Sequence, residues 1–477
     1  MPPDTLSGTR HDKQPTDAFA VPGRALSRDR RKHLVGVLIL FSTKSSVWSC
    51  AQSLCAGHTD PAFGSDRTRI AEGCVVSTGV FTGRLASSAL VGQVVAPAYD
   101  ALTSEQRRQY RVDHPLSYLH VTRSAPDEDD AATVTNASLV ARGRSALHRI
   151  QLEGAFDDLA INAFVVYELE TADHRQRGIV CEVPAESFRD HALPHEATRP
   201  DRAALLAEHF VGVGAASSPV ACAVRDDPAL DRAIEASTNA APVLECDTGD
   251  GLIQRLWKVS DPAHEQAITE ALASKRLYII DGHHRAAANK SLFEDGLALP
   301  VLTAIFTTSA MQLVGFHRLL RLPVGLTQSE FIRRIGQRFP VRASVHVPEQ
   351  REDEVVVRAL GLWHVVSLDE RPAHGSVKVR EGSLPPSVVE REIVAGIAGR
   401  DVDVDVVYLP DTQSPEAVAS LAAADHRVAI FVPPVTMDDV IEVAEGGATM
   451  PAKTTFFTPK ARSGLFLRSY EAELSSG

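Results

Sequence analysis

Short apolar runs, separated by polar residues and by glycine or proline, recur along the chain from about Thr78 onward. Apolar runs of about four to eight residues bounded by turn-forming residues are typical of buried strands. We therefore predict strands at 93–97, 163–167, 178–183, 219–224, 277–280, 299–306, 404–409, 428–432 and 455–457. The second and third of these are expected to form a hairpin with 171–177 as its loop.

Helical patterns fill much of the chain between these runs. Thr103 and Gln106 have the spacing of a capping box, which indicates the start of a helix. Further helices are predicted at 131–153, 201–210, 261–273, 286–293, 414–424 and 436–445. Strands that alternate with helices are typical of α/β or α+β proteins, so we expect an α/β fold with mixed sheets. Residues 341–385 are expected to be a variable insert of strands and loops.

The first part of the chain differs from the rest in composition and charge. Residues 1–73 are rich in Ser, Thr, Pro and Gly and carry a net charge of +3, whereas the whole chain carries −12. We expect 1–77 to be a disordered extension or a mis-assigned start. A basic run before a short apolar run, at 28–41, leaves an export signal as the alternative. A catalytic or binding core at 78–325 and a C-terminal α/β region at 326–477 are expected to follow.

Composition narrows the class of protein further. The chain has 477 residues, of which 44% are hydrophobic, and its six cysteines do not make a disulfide framework. No apolar run reaches the roughly 18 residues that a membrane helix requires. We therefore expect a cytoplasmic protein without a membrane partner. The net charge of −12 and the lack of a basic stripe argue against nucleic acid as a partner.

Three common motifs do not fit the sequence. Residues 447–454 lack one glycine of a phosphate-binding P-loop and follow a predicted helix rather than a strand. Residues 212–217 approximate a dinucleotide fingerprint, but they also follow a helix, so we interpret them as a helix C-cap and turn. His283 and His284 are adjacent, and adjacent residues on a helix do not share a side, so they make a poor zinc pair.

One segment, Asp-Gly-His-His-Arg at 281–285, follows a hydrophobic strand and opens a predicted helix. Gly282 permits a tight turn, and the amide groups at a helix start attract anions. Arg285 adds a fork that suits phosphate or carboxylate, and histidines can move protons near neutral pH. Asp281 could accept a proton or hold magnesium. The alternative is a structural turn in which Asp281 caps the helix and the histidines lie on the surface.

Several further blocks occur in order around this segment. They are 94–100 (Val-Val-Ala-Pro-Ala-Tyr-Asp), His114-Pro115 with Leu119-His120, 194–202 (Pro-His-Glu-Ala-Thr-Arg-Pro-Asp-Arg), 256–259 (Leu-Trp-Lys-Val), 277–285, 315–319 (Gly-Phe-His-Arg-Leu) and 450–460 (Met-Pro-Ala-Lys-Thr-Thr-Phe-Phe-Thr-Pro-Lys). Over residues 80–470 the chain thereby resembles the DUF1015 family, described as SerK-like. Its strand–turn–helix segment resembles the phosphate-binding turn of the ParB/sulfiredoxin superfamily, which implies a ParB/sulfiredoxin-like core.

The resemblance implies three chemistries. Some members of the superfamily are free-serine kinases that use ATP or ADP, some bind or hydrolyse CTP and load onto DNA, and sulfiredoxins use a cysteine where this chain has His283. We therefore expect a small-molecule kinase that uses ATP or ADP with magnesium. The alternatives are a non-catalytic nucleotide or phosphometabolite-binding regulator and a ParB-like nucleic-acid factor. A homo-oligomer also stays open.

The chain departs from the family pattern in two places. Three alanines at 286–288 stand where the family usually has Tyr-Glu-Thr, and Ala98 stands where the family has a second proline. If that tyrosine or glutamate contacts the substrate, this protein is expected to have another substrate or weak activity.

Phosphoryl transfer requires positive donors, a magnesium ion and a base near the acceptor hydroxyl. The residues that the sequence offers for these roles are Gly282, His283, His284 and Arg285 as a phosphate cradle, Arg199 and Lys453 as further donors, Asp281 or Glu196 as base, Asp281 as magnesium ligand, and His195, His317 and Asp100 as substrate-orienting groups. For the residues outside 281–285, the alternative is a buried hydrogen-bonding role or a place in a solvated loop.

Overall fold

The computed structural model describes residues 77–97, 102, 104–122, 135–273, 275–368, 381–399 and 405–476. Its strands are β1 Gly79–Leu85, β2 Ile161–Ala163, β3 Val165–Glu170, β4 Arg175–Val183, β5 Ala192–Pro194, β6 Ala215–Ala216, β7 Val220–Val224, β8 Leu244–Asp247, β9 Ile253–Lys258, β10 Leu277–Asp281, β11 Val301–Thr307, β12 Gln312–Val314, β13 Phe316–Leu320, β14 Val341–Ser344, β15 Glu354–Ala359, β16 Leu362–Ser367, β17 Val406–Pro410, β18 Val428–Phe431, β19 Phe456–Thr458 and β20 Phe466–Ser469.

The α-helices are α1 Val91–Val94, α2 Ser104–Asp113, α3 Asn136–Leu152, α4 Ala185–Asp190, α5 Pro200–Val213, α6 Pro228–Ser237, α7 Pro262–Ala273, α8 His283–Glu294, α9 Gln328–Gly336, α10 Pro385–Val388, α11 Pro415–Ala424, α12 Met437–Glu445 and α13 Glu471–Ser476. A π-helix, Val389–Ala398, continues α10. The expectations for residues 1–76, for Ala98 and for Asp100 lie outside the described residues.

Strands and helices build a mixed α/β fold around two larger sheets. Within the described residues, twelve strands join in the first sheet, whose main path is β5-β10-β7-β11-β4-β1-β20-β6. β10 pairs parallel with β5 and antiparallel with β7, and β11 pairs parallel with β7. β20, from the C-terminal region, pairs with β1 and β6. This sheet therefore contains chain from both sides of the expected boundary at 325, and that boundary stays a prediction.

The first sheet is buried on both faces, which explains its unbroken apolar runs. Val165 and Tyr167 of β3 face one core cluster together with Phe466, while Val166 between them faces a second cluster together with Cys222. Successive side chains of a strand point to opposite faces, so both positions of the alternation must be apolar here. All three cysteines of the described residues, Cys181, Cys222 and Cys246, are unpaired and buried.

The second sheet is antiparallel and runs β14-β16-β15-β18-β13-β17. Phe331 and Ile335 of α9 and Ile393 of the π-helix pack on one of its faces. A separate two-stranded ribbon, β12 with β19, joins residues 312–314 to residues 456–458. The ribbon brings a segment of the C-terminal region beside the first sheet.

Most predicted elements are confirmed, with shifts of a few residues at their ends. The hairpin β3–β4 forms with a shorter loop than predicted, and Gly214 caps α5 in the left-handed conformation, as a C-cap requires. α8 begins at His283 rather than at 286, so the histidines and Arg285 belong to its first turn. In the described part of the chain, no helix is both long enough and apolar enough to cross a membrane.

One prediction about an element is wrong. Residues 93–97 do not form a strand: Val91 and Val94 are buried from one turn of helix, and Ala96 makes a single bridge to Ser463. A short apolar run does not distinguish a strand from a buried helical turn. The strands and loops expected in 341–385 are present in its described part, where β14, β15 and β16 make up half of the second sheet.

Candidate functional site

The candidate site is the corner at which β10 ends and α8 begins. Leu277 to Ile280 are buried in the first sheet, Asp281 ends the strand, and Gly282 turns the chain with φ 86° and ψ 29°. The cap residue of α8 is Gly282, which has no side chain to cap the first turn. The first amide groups of a helix lack partners within it, and its N-terminus carries a partial positive charge, so this corner suits an anion.

Arg285 folds back over Gly282 and ties three parts of the chain together. Its Nη1 donates to the carbonyl oxygen of Pro219 at 2.5 Å, and its Nη2 donates to Oδ2 of Asp281 at 2.6 Å. A Cβ atom on residue 282 would lie 2.8 Å from the guanidinium group. Glycine is therefore required here both for its positive φ and for the path of the Arg285 side chain.

Lys460 is the second cation at the corner, and its Nζ lies 2.8 Å from Oδ1 of Asp281. Burial alone would raise the pKa of Asp281, but the charges of Lys460 and Arg285 outweigh it and lower the pKa to about 2. Asp281 is thus ionised at neutral pH, with a cation on each carboxylate oxygen. Each carboxylate oxygen is paired with a cation, and a carboxylate with so low a pKa is a weak base. The role of Asp281 as a magnesium ligand stays a prediction.

His283 is 8% exposed, and its Nε2 has no hydrogen-bond partner among the described residues. Its ring packs edge-on against His195, with 4.7 Å between the ring centroids. Burial, together with the neighbouring His195, lowers the pKa of His283 to about 3. The corner therefore holds a neutral imidazole whose Nε2 is still able to donate or accept a hydrogen bond. Burying a polar nitrogen without a hydrogen bond costs free energy, unless a ligand or water binds to it.

His195 is held on both sides of its ring. Its Nδ1 lies 2.9 Å from the carbonyl oxygen of Ile279, so Nδ1 carries the proton and donates, and Nε2 accepts from the hydroxyl of Thr455 at 2.9 Å. Burial lowers the pKa of His195 to about 4. Both ring nitrogens are used, so in this structure His195 positions His283 and Thr455 and has no nitrogen left for a substrate.

His284 and Arg199 lie together at the outer side of the corner. The backbone N–H of Arg199 donates to Nε2 of His284 at 3.1 Å. Burial lowers the pKa of His284, and the charges of Arg202 and Arg199 lower it further. The Arg199 side chain is exposed and forms an ion pair with Asp201 at 2.7 Å, so its charge is partly offset.

The remaining predicted residues lie at different distances from the corner. Glu196 follows His195, is half-buried and bridges to the backbone of Met450. Lys453 has φ 61°, and its Nζ lies 5.3 Å from the ring centroid of Phe316. His317 is buried in β13, where its Nε2 lies 3.1 Å from Oδ1 of Asp411, and none of its described contacts is with the corner.

Lys460 and Thr455 are the corner residues that sequence reasoning did not assign. Both belong to the block 450–460, which carried part of the family resemblance, so a signal for them existed. Their position depends on the pairing of β19 with β12 and on the bond from Thr455 to His195, which join distant parts of the chain. Within the described residues, no cluster of three or more His, Cys, Asp or Glu could hold a metal ion.

Fold and site together define a mixed α/β protein with an anion-suited corner between a central strand and a helix. The family described as "Protein of unknown function (DUF1015)" matches residues 81–390, which is more than half of the chain, and the chain belongs to this family. The resemblance to the DUF1015 family is thereby confirmed over residues 81–390, and the assignment to the ParB/sulfiredoxin superfamily stays a prediction. No curated protein matches the chain.

Several solved structures are distantly similar. A free serine kinase in complex with AMP has 13% sequence identity and a TM-score of 0.32, over 62% of this chain and 92% of that chain. SbnI from Staphylococcus aureus, with a C-terminal truncation, has 12% identity and a TM-score of 0.33, over 60% and 85%. A conserved hypothetical protein from Pyrococcus furiosus has 12% identity and a TM-score of 0.30, over 62% and 96%.

Proposed function

We propose that the protein transfers a phosphoryl group from ATP or ADP to the hydroxyl of a small metabolite, with the nucleotide phosphates at the Gly282 corner. The observation that carries this proposal is the buried Nε2 of His283, unpartnered among the described residues, at the glycine-capped start of α8 beside the charges of Arg285 and Lys460. A desolvated donor, helix amides and two cations are the groups that stabilise a phosphoryl group. We further propose that residues 78–325 form a ParB/sulfiredoxin-like core.

In this reaction the acceptor oxygen forms a bond to phosphorus as the bond to the leaving nucleotide breaks, and the hydroxyl proton goes to a base. Asp281 holds Lys460 and Arg285 in place, and Glu196, which follows His195 in the chain, is the proposed base. Arg199 and Lys453 are proposed as outer phosphate donors, and His317 and Asp100 as substrate-orienting residues. Magnesium would come with the nucleotide, and no step is assigned to it.

The test is a product assay with ATP or ADP, magnesium and a panel of hydroxylated amino acids, together with calorimetric titration of nucleotide. We expect His283→Ala and Lys460→Met each to weaken nucleotide binding by roughly tenfold or more, because each removes a group facing the phosphates. Lys290→Met is the matched control, since Lys290 is a partly exposed lysine farther along α8 that pairs with Glu294. Unchanged binding in both corner variants, or no binding by the wild type, would overturn the proposal.

A second candidate function is a regulator that binds a nucleotide or phosphometabolite without chemistry. The observation that favours it is the double pairing of Asp281, which leaves this carboxylate unsuited to act as a base. Calorimetric nucleotide binding, lost in Lys460→Met, combined with no phosphorylated product from any acceptor would support the regulator over the kinase.

A further inference from the structure

Lys460 reaches the corner from a segment without regular secondary structure. Strand β19 ends at Thr458 and β20 begins at Phe466, and residues 459–462, which we call the lysine segment, lie in neither strand nor helix. A lysine side chain has many rotamers and loses conformational entropy when it is held in one of them. Keeping its ammonium group 2.8 Å from Oδ1 of Asp281 therefore requires that the backbone around Lys460 be held in place.

Gln176 of β4 binds the backbone directly before Lys460. Its Nε2 donates to the carbonyl oxygen of Pro459 at 3.1 Å, from a side chain that is only 2% exposed. Its Oε1 has no hydrogen-bond partner among the described residues. Burying an amide oxygen without a partner costs free energy, so packing alone would favour an apolar side chain at this position.

Tyr167 of β3 binds the backbone after Lys460. Its buried hydroxyl accepts from the backbone N–H of Arg462 at 3.3 Å and donates to Oε1 of Gln254 at 2.5 Å. Gln254 is 1% exposed, and its Nε2 lacks a partner within the described part of the chain. By accepting the proton of the hydroxyl, Gln254 leaves a lone pair of the Tyr167 oxygen for the lysine segment.

The three side chains lie on one face of the first sheet. Leu169 of β3 pairs with Gln176 on one side and with Gln254 on the other, and directly opposed residues share a face. Tyr167 is two positions from Leu169 and therefore points the same way. Both pack in the core cluster that includes Phe466. Two amides and a hydroxyl thus interrupt an apolar core at the place where the lysine segment is bound.

We propose that Gln176, Tyr167 and Gln254 are positioning residues, which hold the lysine segment so that the ammonium group of Lys460 is fixed at the corner before a ligand binds. A cation that is fixed in advance needs no reordering when a phosphate group arrives. The three side chains are uncharged, so they act on the ligand only through Lys460. This inference rests on the proposed function, in which Lys460 contacts phosphate.

The position of Lys460 is tested without nucleotide, by trace acetylation of the folded protein with acetic anhydride and mass spectrometry. Only an unprotonated amine reacts, so an ion-paired lysine reacts slowly. We expect the two sheet variants, Gln176→Met and Tyr167→Phe, each to raise the acetylation rate of Lys460 roughly three- to tenfold, as the loss of one hydrogen bond predicts. Lys275, which is paired with Asp227, is the internal reference and is expected to react at its wild-type rate.

Tyr470→Phe is the matched control variant. Tyr470 is equally buried, and its hydroxyl donates to the carbonyl oxygen of Pro300 rather than binding the lysine segment. This variant is expected to leave the acetylation rate of Lys460 unchanged. General destabilisation would raise the rates of Lys460 and Lys275 together, whereas loss of positioning raises that of Lys460 alone. An unchanged rate at Lys460 in either sheet variant, or an equal rise at Lys275, overturns the proposal.

Calorimetric titration of ATP connects the positioning to the proposed function. We expect the sheet variants to weaken ATP binding roughly threefold or more, and to have no effect when Lys460→Met is already present, because they act through that lysine. If ATP does not bind the wild type, a raised acetylation rate still supports the positioning of Lys460, and only the proposed function fails. If ATP binds the wild type and the sheet variants equally well, the inference fails and the proposed function stands.

Discussion

At the corner between β10 and α8, Gly282 meets two separate steric demands. Its φ of 86° lies in the left-handed region, and the guanidinium of Arg285 occupies the space where a side chain would begin. The first demand is common to many glycines in turns, whereas the second couples the backbone to the ion pair between Arg285 and Asp281. A substitution at 282 therefore acts on the charges of the site as well as on the fold.

We predict that Gly282→Ala lowers the free energy of unfolding by about 2 to 4 kcal/mol, since it adds a clash with Arg285 to the cost of a left-handed backbone. Gly296→Ala is the matched control, because Gly296 follows the same helix with φ 91° and open space around it. The control is expected to cost only about 1 kcal/mol. Denaturant unfolding of both variants measures the difference, and equal losses would show that the Arg285 contact contributes nothing.

The two buried histidines make stability depend on pH in a defined direction. The pKa values of His195 and His283 fall from 6.5 to about 4 and about 3 in the folded chain. Below about pH 6.5 the unfolded chain binds protons that the native chain excludes, so their stabilising contribution is present above that pH and is lost as the pH falls toward the folded pKa values. Asp281, with a pKa of about 2, adds a further loss below about pH 4.

We predict that His195→Asn reduces the loss of unfolding free energy between pH 7 and pH 5. The reduction is expected to be at most about 2 kcal/mol. Asparagine retains a donor near the position of Nδ1, so the bond to Ile279 can persist. The control is His148→Asn, at an exposed position of α3. Urea unfolding at several pH values measures the slope, and a slope equal to that of the wild type would contradict the buried, neutral state of His195.

At the scale of elements, β10, the strand that ends at the corner, is joined to α12 by a hydrogen bond. Tyr278 of β10 donates its hydroxyl to Oε1 of Glu445 at 2.5 Å, and Glu445 is the last residue of that helix. The other end of α12 has a complete capping box, in which Thr436 and Asp439 exchange hydrogen bonds. A change in the stability of α12 is therefore expected to affect the position of β10.

We predict that Thr436→Ala destabilises the chain by about 1 to 2 kcal/mol, because the amide of Asp439 loses its acceptor and the carboxylate of Asp439 loses the hydroxyl that donates to it. Ser414→Ala on α11 is the matched control, since Ser414 caps its helix with a single bond to the amide of Ala417. The control is expected to cost about 1 kcal/mol or less. Thermal unfolding of both variants gives the comparison, and a larger loss in the control would contradict the role of the box.

How far the sequence predicted these elements depends on the range of the interactions that form them. Helix α3 and the hairpin β3–β4 follow from local patterns, and both were predicted. The strand at 93–97 was wrong because tertiary contacts, the burial of Val91 and Val94 and the bridge to Ser463, decide the conformation of that short run. The hydrophobic periodicity of neighbouring residues carries no information about contacts with distant parts of the chain.

The candidate site shows the same division. The Gly282 turn and the start of a helix beside it were readable from adjacent residues. The ion pair with Lys460 and the bond from Thr455 to His195 were not, because each joins residues that are far apart in sequence. The pairing of both oxygens of Asp281 with cations depends on that same distant lysine.

At the scale of the whole molecule, the C-terminal region completes the first sheet. β20 lies between β1 and β6, and Phe466 packs edge-on against Phe81 and Tyr167 with centroid distances of 5.6 and 5.5 Å. Lys460 reaches Asp281 from the same region. The first sheet and the corner therefore both need residues from beyond 325.

We predict that a fragment of residues 78–325 does not unfold cooperatively, since it lacks β20 and leaves the aromatic contacts of Phe81 and Tyr167 exposed. The fragment 78–476, which retains β20 and Lys460, is the control and is expected to unfold in one sharp transition. Calorimetry and near-ultraviolet circular dichroism compare the two. Cooperative unfolding of the shorter fragment would instead support 78–325 as an independent domain.

The place of β20 also bears on the order of events during synthesis. Because β1 leaves the ribosome long before β20, the edges of β1 and β6 that β20 will join stay open while the whole of the second sheet is being translated. Open strand edges are sites of mispairing between nascent chains. Those edges of β1 and β6 are therefore exposed to other nascent chains until β20 has been synthesised.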